Sequence, residues 1–151
     1  MTLLGAPWHL VKRFVGSVTA APLTDVERTE VAAVLLPTEY RLFEQFSVAD
    51  QRHALHVLRR FDSFAPGAPV FARRAALLHD IGKVDAQLGT LRRVVATVVG
   101  PRTPAFRRYH QHEVHGLRLL REAGSDSLTL EVLTPDSSSP WREALARADE
   151  V

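Results

Sequence analysis

The residues best equipped for chemistry stand together in Leu77-Leu78-His79-Asp80-Ile81-Gly82-Lys83. An apolar helical turn runs directly into a His and an Asp, then into a helix-stopping Gly and a Lys, a combination that packing alone does not require. A neutral imidazole nitrogen and a carboxylate oxygen side by side can ligate one divalent cation from a single helix end. Two ligands do not make a site, so the other histidines and carboxylates decide the chemistry.

No cysteine is present among the 151 residues. Disulfides, zinc-thiolate sites and thiol nucleophiles are thereby excluded, which leaves His and carboxylates as the strong metal ligands. With 46% hydrophobic and 24% charged residues, the chain is of a size to bury one core. The net charge is only +2, and the 19 basic residues, of which Lys12 and Lys83 are the lysines, form no run of like charge. No nucleic-acid stripe can be read from such a pattern.

The elements that must carry these groups read as helices. Residues 1–20 place Trp8, Leu10, Val11, Phe14 and Val18 around Lys12 and Arg13, as in an amphipathic helix. Its charges lie inside the apolar stretch, unlike a signal peptide, and it is too short and polar to span a bilayer. Packing on its own domain is the simpler account of it; contact with a membrane surface or a partner is the other. Thr24 with Glu27 predicts a capping box for a helix reaching Leu36, which Pro37 stops, and a second helix runs over 38–46. Ser47 with Asp50 caps a longer helix that breaks before Pro66-Gly67-Ala68-Pro69 and carries both His53 and His56, three apart on one face.

Residues 70–81 form the helix that delivers His79 and Asp80, with Arg73 and Arg74 expected on a solvated face. The run 91–99 is β-rich in residue type but has no other strand to pair with, so it reads as helix. Arg102, Arg107 and Arg108 have a guanidinium fork suited to phosphate, although solvent also accounts for them. A helix over 105–123 concentrates Tyr109, His110, His112 and His115. Ser125 is expected to cap a short helix, and Ser139-Pro140 opens the last one, which ends near Asp149.

The HDIGK sequence, a preceding His in Arg52-His53-Ala54-Leu55-His56-Val57 and a late Ala148-Asp149 resemble the HD superfamily of metal-dependent phosphohydrolases, in particular small HD-domain proteins of high-GC bacteria. That resemblance implies an all-α, compact HD-like bundle of about six to eight helices over 21–151, with residues 1–20 as a separate amphipathic helix. It implies His53, His79, Asp80 and Asp149 as metal ligands, with His56 a neighbour, for a divalent cation such as Mn, Fe, Mg or Co. In several branches of the superfamily a His stands four residues before a Gly, as His112 does before Gly116. Those branches bind a second metal through further downstream histidines, which this sequence lacks, so one metal is expected.

The implied activity is hydrolysis of a nucleotide or other small phosphate ester in the cytoplasm. Asp80, Lys83, His112 and His115 are the catalytic candidates: Lys83 as a point charge for phosphate oxygens, and His112 or His115 as general acid. The alternative is a degraded HD module that binds or regulates without catalysis. Neither the substrate nor the oligomeric state can be read from the sequence.

Overall fold

The computed structural model describes residues 19–84 and 112–150, and among these every regular element is helical. Seven α-helices run in order: α1 (Asp25–Ala32), α2 (Pro37–Phe43), α3 (Val48–Phe64), α4 (Val70–Leu78), α5 (His112–Glu122), α6 (Ser127–Leu133) and α7 (Pro140–Asp149). A 3-10 turn, Ile81–Lys83, follows α4. The all-α expectation is met. The amphipathic reading of 1–18, the helix over 91–99, Arg102, Arg107, Arg108, Tyr109 and His110 all lie outside the described residues.

Local sequence sets the helix starts. Thr24 Oγ1 accepts from Glu27 N at 3.2 Å while Glu27 Oε2 accepts from Thr24 N at 2.9 Å, a complete capping box. Ser47 Oγ accepts from Asp50 N at 3.2 Å at the head of α3. Pro37 plays a different part from the one expected. The first helix ends earlier, at Ala32, and Pro37 opens α2, where its missing N–H is one of the donors a helix start leaves unused. Asp126, not Ser125, caps α6, its carboxylate accepting from Leu128 N at 2.9 Å.

Helix α3 is the central strut. Leu55, Leu58 and Phe61 recur along it at intervals of three and are fully buried, so one face is continuous core. That face packs on α4 and α7, while α4 also packs on α6, and α6 on α5 and α7. Complete burial of side chains such as Phe61, Leu77 and Leu78 stabilises the bundle by about 1.5–3 kcal/mol each. No described helix is long and apolar enough to cross a membrane.

Two glycines shape the ends that matter. Gly124 ends α5 at φ 78°, where Gly124 N bonds Arg121 O at 3.0 Å and Ser125 N bonds Leu120 O at 2.9 Å. Gly116 lets α5 lie against the His-Asp turn: a Cβ there would stand 3.0 Å from Gly82 N and 3.1 Å from Ile81 Cγ2. Backbone yields less readily than a flexible side-chain tip, so this close approach favours glycine.

The expected solvation of Arg73 and Arg74 is not what forms. Arg73 makes a two-point pair with Asp62, both bonds 2.9 Å. Arg74 is largely covered, donates to Val34 O at 2.9 Å and lies 3.8 Å from the fully buried Glu39. The cause is Glu39 itself, a buried carboxylate that needs donors and a cation nearby.

Candidate metal centre

Four side chains from three separate segments converge at one end of the bundle. His53 comes from the second turn of α3, His79 caps the C-terminus of α4, Asp80 follows it, and Asp149 is the last residue of α7. His79 keeps helical dihedrals, but Asp80 turns to φ −101°, ψ 10°, and the chain tightens into the 3-10 turn. That change of direction aims both neighbours at the same place.

Ligand atoms of His53, His79 and Asp80 all lie within 4.8 Å of one another, so these three could hold one metal ion. Asp149 Oδ1 stands 3.0 Å from His53 Nε2 and 3.3 Å from His79 Nε2. Asp80 Oδ2 is 3.9 Å from His53 Nε2 and 3.5 Å from His79 Nε2. The two imidazole rings are 5.6 Å apart between centroids.

His79 is fixed from behind. Its Nδ1 is 2.9 Å from Ala76 O, and a carbonyl can only accept, so Nδ1 carries the proton. In the neutral ring the lone pair is then on Nε2, which is buried and has no hydrogen-bond partner among the described residues. A buried nitrogen left without a bond is costly, and here it faces two carboxylates. Two imidazole nitrogens with two carboxylates are also a donor set that suits a divalent cation, so the residues fit the group.

The electrostatics show the same crowding. Burial opposes charge on His79, but Asp80, Asp149 and the Ala76 carbonyl outweigh it and raise its pKa. Burial likewise works against ionised Asp80, yet His79, Lys83 and His53 hold its pKa down to about 2. The bonded His53 ring, and then the His79 ring 3.3 Å away, keep Asp149 well below the usual carboxylate range. Lys83 Nζ donates to Asp80 Oδ2, so the lysine meets the candidate ligand directly.

The last turn of α7 is held by α3. Arg60 Nε donates to Ala148 O at 2.6 Å, and the Arg147 guanidinium sits 4.5 Å from the Phe64 ring centroid. His53 and Arg60 are two turns apart on α3, so one stripe of that helix meets both the Asp149 side chain and the backbone just before it. Sequence reading passed over Arg60, although its seven-residue spacing from His53 was there to be seen.

A cleft of about 220 Å³ opens on the centre, lined by His79, Asp80 and Asp149 and by Glu113, Leu117 and Arg142. Glu113 and Arg142 had no sequence signal beyond their helical positions. His115 is half-buried with Nδ1 3.0 Å from Arg118 Nη2, and it is not among the residues lining the cleft. His112 opens α5, its side chain lying outside the description. His56 is exposed on α3, its pKa lowered by partial burial and by Arg52, Arg59 and Arg60.

A model of the HD domain family matches residues 51–146, more than half of the chain. The chain belongs to the HD domain family. HD membership places it in a superfamily of metal-dependent phosphohydrolases, and His53, His79 and Asp80 fall within the matched stretch. Asp149 lies just beyond it, joined to the HD residues by its contacts alone. Searches of curated proteins and of solved structures found no match.

Proposed function

We propose that this HD protein is a metal-dependent hydrolase of a small phosphate ester, with a nucleotide the foremost class of substrate. The observation that carries the reading is the meeting of His53, His79, Asp80 and Asp149, with His79 Nε2 buried and unbonded between two carboxylates. These four would hold one divalent cation. When bound, such a cation supplies Lewis acidity and lowers the pKa of water at neutral pH.

The chain's own groups have separable tasks. Ala76 O fixes the tautomer of His79, and Arg60 steadies the helix end that carries Asp149. Lys83, paired with Asp80, brings a positive charge to the edge of the centre, where it can attract a phosphate oxygen. His112 stands on the first turn of α5, near the Gly116 that lies against the His-Asp turn, and is the candidate to protonate a leaving oxygen, whereas His115, also a candidate from the sequence, pairs with Arg118 outside the cleft lining. The cleft beside Asp80 and Asp149 admits a small ester and not a folded polymer.

The test is elemental analysis of protein purified without chelator or polyhistidine tag, wild type against Asp80→Ala, followed by a screen of nucleotides and phosphodiesters with the metal found. About one equivalent of metal in the wild type alone, with metal-dependent phosphate release, is the expected result. Absence of metal from both proteins after soaking in Mn and Fe would overturn the hydrolase and leave a binding module.

A further inference from the structure

Besides the His-Asp turn, the cleft lining carries a charge that the proposed hydrolysis does not use. Several part-buried arginines among the described residues are neutralised: Arg52 meets Glu27, Arg59 meets Glu30, Arg73 meets Asp62 and Arg74 meets Glu39. Arg142 is different. It is half-buried, it lines the cleft, and no described carboxylate lies within 4.0 Å of it. Glu113, on the α5 wall of the same cleft, does not reach it either.

Among the described residues, the one side-chain bond of Arg142 runs from Nη1 to Val132 O at 3.2 Å, in the last turn of α6. A guanidinium has five N–H donors in a planar fork, so this leaves most of its capacity unspent. A helix cap alone does not need a cation turned into a cleft beside a phosphoryl-transfer centre. Arg142 stands seven residues before Asp149 on α7, which is two turns, or about 10 Å, along the helix axis.

We infer that Arg142 is a substrate-binding residue for a second anionic group, so that the substrate is a phosphate ester carrying another phosphate or a carboxylate at the far end from the reacting phosphorus. This rests on the metal-centre reading above, because it takes Asp149 as marking where the reacting phosphoryl group sits. A simple monoester would fill the metal end and leave the guanidinium without a partner. A doubly anionic one spans the cleft and is gripped at both ends, which adds affinity and sets the orientation of the scissile bond.

Non-hydrolysable probes test it through binding, without relying on turnover. Alkane-α,ω-diphosphonates of increasing length, ω-phosphonocarboxylates and alkylphosphonates of matched length are titrated calorimetrically into metal-loaded protein. The expected result is an optimum in length at which a doubly anionic probe binds at least about tenfold more tightly than the matched monophosphonate, as one charge-assisted contact provides. The better of the two doubly anionic series identifies the second anion as phosphate or carboxylate.

Arg142→Gln should reduce that advantage to within about twofold and leave monophosphonate affinity unchanged, and Arg142→Lys should keep part of it. A wild type with no length optimum, or an Arg142→Gln protein that loses mono- and diphosphonate affinity equally, would overturn the subsite. The length series in wild type decides the matter even if Arg142→Gln folds poorly. Monophosphonate binding that persists unchanged in metal-free protein would instead sink the metal centre on which the inference stands.

Discussion

Glu39 and Asp80 are both buried carboxylates, 0% and 8% exposed, and they are partnered in opposite ways. Around Glu39 every demand is met: Oε2 accepts from Leu36 N at 2.9 Å, Oε1 accepts from Ser125 Oγ at 2.7 Å, and Arg74 lies 3.8 Å away. Around Asp80 the supply is uneven. It shares its surroundings with a second carboxylate, Asp149, and both press on a His79 Nε2 that has no hydrogen bond. Burial of charge therefore does not by itself mark function. A closed network ties three segments together, whereas one left with an orphan nitrogen and crowded like charges is prepared for a cation from outside.

Substitution at each carboxylate should separate the two roles. Asp80→Ala is expected to show the largest effect on chemistry, with metal content falling from about one equivalent to near zero by elemental analysis. Glu39→Ala should do the reverse, lowering stability in urea by about 2–4 kcal/mol because Leu36 N, Ser125 Oγ and Arg74 lose their buried acceptor, while metal content stays at the wild-type value. If Glu39→Ala also lost its metal, the two networks would be one.

Arg60→Ala is a milder break. It frees the carbonyl before Asp149, so metal affinity measured by chelator competition should weaken about 10-fold, as for other groups that orient ligands, with partial recovery in Arg60→Lys. An affinity equal to wild type would show that α7 holds its own end.

The pH dependence sharpens the contrast without mutation. In metal-free protein the raised pKa of His79 gives stability that is complete below its ordinary 6.5 and is lost as pH rises through the elevated value. Asp80 gives stability present above its ordinary 3.8 and lost as pH falls toward about 2. Metal-free melts should therefore be highest in the mildly acidic range and decline as pH rises above 6.5. Metal requires the neutral imidazole, so the loaded protein should gain over the same interval. Equal slopes with and without chelator would contradict the assignment. The smallest effect belongs to His56→Ala, which is exposed and not among the candidate ligands: stability within about 0.5 kcal/mol and unchanged metal content.

Much of this was legible in the sequence because it is written locally. The capping box at Thr24, the stop before Pro66 and the HDIGK turn each occupy a few consecutive residues, and the HD resemblance supplied His53 and Asp149 as partners for that turn. What escaped depends on contacts between distant segments. Arg74 could not be told from a solvated arginine until Glu39 was seen buried beside it, and Ser125 looked like a cap because its bond to Glu39 spans 86 positions. Arg142 carried no motif, and only the cleft reveals it.

The bond between His53 and Asp149 joins residues 96 positions apart. Closing so long a loop costs about 4 kcal/mol of chain entropy, a cost met only when α3, α4 and α7 dock together. The four-residue centre is thus complete only once α7 has docked on α3, and high-affinity metal uptake should track arrival at the native state in a refolding experiment. A partly unfolded copy in which α7 is undocked would lack Asp149 at the histidines and should bind metal more weakly.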